Sequence, residues 1–275
     1  MQIEGDIRKM RVEYADPVRY YLPFNDAELF MNPLIGTEIT LEYTGVIHCI
    51  SCGKVMKTSF AQGFCYNCLQ TAPEASESVL QPELSKAHLG IARDLEYALR
   101  HDLIDHIVYL ALSPGLKVGA TRHHQAPARW IDQGAVEAIP VARTPNRHIA
   151  GVMEVWLKQY FSDKTNWRDM LRNIQPEVTS LATEKRRVWD LLTPELRKYW
   201  LPDEEVTRIA YPVLKFPEKI TTINLDKTPR LTAVLHGIKG QYLLLGDEYA
   251  LNIRKHNGYQ VKLSRQSGNL QIISN

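Results

Sequence analysis

Cys49-Ile-Ser-Cys52 and Cys65-Tyr-Asn-Cys68, with twelve residues between the pairs, constrain this 275-residue chain more than any other feature. Two residues between thiols let a tight turn aim both sulfurs at one point. A second such pair completes a tetrahedron around Zn²⁺, with Zn–S near ~2.3 Å. Gly53 follows the first pair, where such a turn favours a residue without Cβ. Residues 54–64 have the length of a hairpin arm. Four cysteines are too few for a disulfide scaffold in a chain of this size, so Cys49, Cys52, Cys65 and Cys68 read as zinc ligands, with an iron site or a redox Cys-x-x-Cys pair as the alternatives. Four thiolates leave no position open for water, and the expected zinc is therefore structural. His48 adjoins the first cysteine, but the sulfurs already fill the shell. It is expected outside that shell or in solvent.

The length suggests roughly two domains or three small ones. At 44% hydrophobic and 23% charged residues, the composition is that of a globular chain. No apolar run approaches the ~18–20 residues of a membrane helix. The acidic start Met-Gln-Ile-Glu-Gly-Asp lacks the basic head and apolar core of a secretion signal. The expectation is a cytoplasmic protein with no membrane partner. The net charge of +2 hides a gradient: residues 1–100 carry 9 Lys+Arg against 13 Asp+Glu, and residues 171–275 carry 16 against 11. A basic C-terminal third fits nucleic acid, and equally an ordinary solvated surface.

Short period-two bursts (Val18, Tyr20, Leu22; Ile39, Leu41, Tyr43) predict strands in the head, and the polar stretch 71–82 closes it. Residues 91–100 suit a short helix. The apolar run 107–112, the turn Ser113-Pro-Gly115 and the run 116–121 read as a hairpin. Residues 126–133 suit helical turns stopped by Gly134, and 136–142 a third strand. Thr144-Pro145 reads as an N-cap followed by proline at the first helical position. Ile149, Val152, Met153, Trp156, Leu157 and Tyr160 then recur at helical spacing. Further helical text runs through 167–171 and 184–192. From about Tyr211 several short strands with Gly and Asn turns suggest a small barrel or sandwich.

The middle segment resembles the front half of the GIY-YIG nuclease domain. The resemblance rests on Val108-Tyr109-Leu110, on Lys117-Val118-Gly119-Ala-Thr121, and on Arg129, and covers about residues 105–171. It implies two strands carrying the name-giving tripeptides, an arginine on the first helix, a glutamate on a later helix holding one divalent metal, and a downstream asparagine. Glu154 and Asn166 fall in suitable places. The implied roles are phosphate contact for Arg129, Mg²⁺ or Mn²⁺ binding for Glu154, orientation or deprotonation of water by Tyr109, and orientation of a neighbouring group by Asn166. Lys117 replaces the family's second tyrosine, and Gln133 stands where a histidine or tyrosine often lies. A buried lysine with a lowered pKa suits base chemistry, and a charged one suits phosphate contact. Glutamine serves neither as base nor as acid. Whether the core cuts or only binds stays open at this point. The whole chain, ribbon included, also resembles an uncharacterised bacterial family catalogued as a domain of unknown function, which implies architecture but no activity.

The residue patterns alone allow plainer readings. Tyr109 and Val118 suit core strand positions, Arg129 suits an i,i+3 pair with Asp132, and Glu154 lies about 130° from the centre of its helix's apolar stripe. Candidate nucleic-acid contacts are Arg122, His123 and His124 after the hairpin, Lys164, Trp167 and Arg168 in the next polar stretch, and Arg254 and Lys255 in the tail. The tail residues also fit a hairpin with Asn257-Gly258 as its turn.

The fold expected is α+β and multidomain. Residues 1–82 form a β-rich zinc-ribbon head, 83–175 a small GIY-YIG-like α/β core, 176–210 a helical bridge and 211–275 a β-barrel-like C-terminal domain. The leading function is nucleic-acid processing by a metal-dependent nuclease acting on DNA or RNA. A non-catalytic nucleic-acid-binding module and a zinc-held protein-interaction scaffold are the alternatives.

Overall fold

A computed structural model describes residues 2–174, 180–265 and 268–274. The chain is mixed α+β and divides into two compact units, residues 1–70 with 210–275, and residues 71–209.

The first unit joins the two ends of the chain. Strand Glu38–His48 pairs antiparallel with Arg230–Lys239 on one side and Tyr259–Arg265 on the other. Leu41 thereby lies opposite both Leu231 and Leu263, and Ile39, Leu41 and Ile47 are buried. Gln2–Asp6 extends the sheet beyond Tyr259–Arg265, while Tyr242–Leu245, Tyr249–Asn252 and Thr221–Ile223 extend its other side. A second sheet runs Ile272–Ser274, Ala27–Phe30, Arg19–Phe24, Arg11–Glu13. The separate head and tail expected from sequence are therefore corrected to one unit. Strands this short bury too little apolar surface alone, and those of the tail supply the missing neighbours. The barrel is corrected as well: among the described residues no sheet closes on itself. Nor is Asn257-Gly258 a hairpin turn, because the strands flanking it join different neighbours.

The second unit is built on strand His106–Ser113, buried along its whole length. It pairs antiparallel with Gly115–Arg122 as the expected hairpin and with Glu137–Thr144 on the other side. Thr207–Arg208 adds an outer strand. Val108, Leu110, Val118 and Ile139 pack against Ala150, Met153 and Leu157 of helix Arg147–Leu157 and against Leu181 and Val188 of helix Leu181–Leu191. Each of the Val, Leu, Ile and Met side chains contributes about 1.5–3 kcal/mol by leaving water. Residues 180–209 of the expected bridge 176–210 thus belong to this unit, and its boundary at 175/176 lies outside the described residues.

Two helix starts differ from expectation. Asn146, not Thr144, caps Arg147–Leu157, its side chain accepting from the Ile149 amide at 3.0 Å. Asp94 caps Leu95–His101 in the same way. In both, the side chain that reaches the third amide onward fixes the first turn. Val152 and Tyr160, expected on the apolar stripe, are exposed. Among the described residues no helix is long and apolar enough to cross a membrane.

Candidate functional site

The four thiols come together in the first unit, just after Glu38–His48 ends. Their sulfurs all lie within 4.8 Å of one another, and Cys52 and Cys65 Sγ are 3.9 Å apart. A tetrahedron with arms near ~2.3 Å has edges of about 3.8 Å, so the cluster has the size that Zn²⁺ requires. The Cys65 amide donates to Cys49 Sγ at 3.2 Å and the Cys68 amide to Cys65 Sγ at 3.4 Å. Burial opposes ionisation of Cys49, but the Cys52, Cys65 and Ser51 amides outweigh it and hold this thiol below its ordinary range, while hydrogen bonds with Cys52 and Cys65 push Cys68 up. A thiolate ready at neutral pH is what the metal needs. His48 stands outside the cluster, its Nδ1 2.9 Å from Asp6 Oδ1.

The C-terminal segment holds this ribbon in place. Asn257 Nδ2 donates to the Gln62 carbonyl at 2.9 Å, and the His48 amide donates to the Gly258 carbonyl at 2.7 Å. Gly258 has φ +82°, and a Cβ there would stand 2.0 Å from the His48 carbonyl oxygen. Arg254 and Lys255 sit on the neighbouring turn Ile253–His256, where Asn252 Oδ1 accepts from the Lys255 amide. Lys255 is exposed and Arg254 half-buried.

The second unit carries a separate polar cluster. Tyr109 pairs with Gly119 across the hairpin and Ala111 with Lys117, which puts Tyr109, Lys117 and Gly119 on one face of the sheet. Trp130 of helix Ala126–Asp132 packs edge-on against Tyr109, with ring centroids 5.8 Å apart. The Tyr109 hydroxyl donates to Gln133 Oε1 at 3.0 Å. Burial pushes this phenol up to about 12, against the pull of Arg129, while Glu154 adds to the rise. Lys117 is 2% exposed and donates from Nζ to Thr165 Oγ1 at 2.8 Å. Burial and then Arg129 lower its amine to about 7, partly offset by Asp163 and Glu154. Burial likewise raises the Glu154 carboxyl, against Lys158 and Arg129. Tyr109, Lys117, Arg129 and Glu154 thus share one electrostatic environment.

Three residues absent from the sequence reading belong to this cluster. Lys158 Nζ lies 3.2 Å from Glu154 Oε1 and 3.4 Å from Asp163 Oδ2. The Val118 amide donates to the Ser162 carbonyl at 2.9 Å, which draws the segment carrying Asp163 and Thr165 along the hairpin edge. The Glu154–Lys158 pair was legible as an i,i+4 acid-to-base spacing. Nothing local marked Asp163 or Thr165.

The remaining candidates are placed otherwise. Asn166 caps helix Trp167–Leu171 and donates to Asp169 Oδ2, so its side chain is used in folding. Arg168 stacks on Trp167, its guanidinium carbon 4.2 Å from the ring centre, and covers a face that a base would need. Lys164 is exposed. Arg122 bonds to Gln125 and His101, while His123 and His124 are exposed in the turn His123–Gln125.

No curated protein and no solved structure matches this chain. One family model does: the family described as Protein of unknown function (DUF2797) matches residues 36–261. That span takes in the four-cysteine ribbon and the Tyr109–Glu154 cluster alike, and the chain belongs to this family.

Proposed function

We propose that the 71–209 unit is a GIY-YIG-like, divalent-metal-dependent phosphodiesterase acting on DNA or RNA, with zinc as a structural ion in the other unit. The observation that carries this reading is the shared environment of Tyr109, Lys117, Arg129 and Glu154, drawn from two strands and two helices. Arg129 offers the two-pronged contact that suits phosphoryl oxygens. Glu154 and Asp163 are hard oxygen donors of the kind Mg²⁺ or Mn²⁺ takes, with waters and substrate completing the shell. When bound, such an ion would polarise a phosphoryl oxygen.

Lys117 suits the role of base. With its amine lowered to about 7, a large neutral fraction exists at physiological pH. Its nitrogen takes a proton as the water oxygen bonds to phosphorus; the ester P–O bond breaks, and the leaving oxygen takes a proton from solvent. Tyr109, held near 12, keeps its proton and serves as a hydrogen-bonding group.

The Lys158 contact with Glu154 and Asp163 favours a second reading, in which lysine takes the place of a metal and the site binds phosphate without cutting. Incubation with 5′-labelled single- and double-stranded DNA and RNA, with and without Mg²⁺, separates the two. The nuclease reading expects shortened products only with the metal. Binding without cleavage across all four substrates favours the second.

A further inference from the structure

Lys117 is buried, yet its amine meets a hydroxyl rather than a carboxylate: Nζ donates to Thr165 Oγ1 at 2.8 Å. A buried cation is ordinarily paired with an anion. Glu154 and Asp163 both act on Lys117 electrostatically, but their oxygens lie against Lys158 Nζ, at 3.2 and 3.4 Å. The fold thus gives one lysine the carboxylates and the other a neutral acceptor. A carboxylate beside Lys117 would hold it as ammonium, whereas a hydroxyl accepts from the neutral amine too. With one N–H fixed on Thr165, rotation about Cε–Nζ is restricted, and the lone pair of the neutral amine stays free.

Thr165 is held at this spot by its neighbours along the chain. Phe161 is buried in the core of the unit, and the next residue, Ser162, takes the Val118 amide on its carbonyl at 2.9 Å. The Ser162 hydroxyl accepts from the Lys164 amide at 3.1 Å. On the other side Asn166 caps helix Trp167–Leu171, whose Met170 and Leu171 are buried. Residues 162–166 are therefore tied at both ends along the hairpin edge that carries Lys117.

We propose that Thr165 is a positioning residue: its hydroxyl holds the Lys117 amine by one N–H and leaves the lone pair free to take a proton from water. The inference rests on the reading of Lys117 as the base. Arg129 of helix Ala126–Asp132 works against protonation of Lys117, while Asp163 and Glu154 of helix Arg147–Leu157 favour it. Tyr109 on the adjoining strand keeps its proton and adds no charge. Thr165→Val removes the acceptor and fills its volume. Because the ammonium is the stronger donor, it loses more than the amine does, and the titration moves down. Thr165→Asp puts a carboxylate in the same place and moves it up. Thr165→Ser keeps the hydroxyl and leaves it unchanged.

The test follows the Lys117 Cε resonance of the full, zinc-loaded chain labelled with ¹³C-lysine across a pH titration, without substrate or Mg²⁺. The signal is identified by its absence in Lys117→Met. The midpoint should fall by about half a unit to one unit in Thr165→Val and rise by about 1–3 units in Thr165→Asp. In Thr165→Ser it should stay where wild type has it. A wild-type midpoint in Thr165→Val or Thr165→Asp overturns the proposal. So does a Thr165→Ser midpoint displaced as far as that of Thr165→Val, because the hydroxyl would then not be the acting group. Cleavage by the same variants should show the midpoint of kcat moving in parallel, with kcat lowered and KM little changed in Thr165→Val. Shifted midpoints in a chain that never cuts defeat only the nuclease reading, and unshifted midpoints in a chain that cuts defeat only the role of Thr165.

Discussion

Tyr109 lies across Gly119 so closely that a Cβ at Gly119 would stand 2.7 Å from the tyrosine hydroxyl oxygen. The two residues face each other in the hairpin register. The missing side chain of one makes room for the ring of the other. Gly119→Ala should therefore displace Tyr109 rather than simply stiffen a strand. We expect a loss of about 1–3 kcal/mol in denaturant unfolding and a fall in cleavage larger than that of a surface Gly→Ala variant. A variant as stable and active as wild type would contradict the packing role.

Lys117 gives a prediction in which stability and function move in opposite directions. Its folded amine, lowered to about 7 from the ordinary 10.5, binds fewer protons than the unfolded one between those values. Stability from this group is therefore greatest above pH 10.5 and falls as pH drops toward 7. Lys117→Met should stabilise the chain at pH 7 by on the order of 2–4 kcal/mol while lowering cleavage. Thermal melts at pH 7 and pH 9.5 check the sign, with the larger gain expected at pH 7.

The pH profile of cleavage follows from the same group. A base must be neutral, so the rate should climb through about pH 7 and then level, and the climb should vanish in Lys117→Met. A profile still rising at pH 10 would point to Tyr109 instead.

Zinc should copurify at about one ion per chain, because one four-cysteine cluster is present among the described residues. Cys49→Ser should lower the melting temperature and release the ion, since binding and folding are coupled. Elemental analysis that finds no zinc in protein purified without chelator would rule the centre out.

The cysteine spacing and the hairpin were legible in the sequence because each is local. A two-residue gap aims two sulfurs whatever surrounds it, and period-two text around Ser113-Pro-Gly115 makes a hairpin. What escaped was long-range. The pairing of Leu41 with Leu231 and Leu263 joins segments some 190 and 220 residues apart, and no window of sequence carries it. Glu154 looked like a surface residue by its angle on the helix, yet Lys158 reaches it and also meets Asp163. Asn166 was singled out by its spacing in a resemblance, but its side chain caps a helix, a use that asparagine fills wherever a helix starts.

The central claim is that Glu154 holds the metal for phosphodiester cleavage, and Glu154→Gln tests it most directly. The amide keeps the shape of the side chain but is a poorer ligand for a hard cation. Cleavage of the preferred substrate should be measured for both proteins across a Mn²⁺ titration, with zinc content and melting temperature as controls. The account predicts a rate at least ~10²-fold lower at low Mn²⁺, partly recovered at high Mn²⁺, with zinc unchanged. Equal rates in wild type and Glu154→Gln at every Mn²⁺ concentration would contradict it.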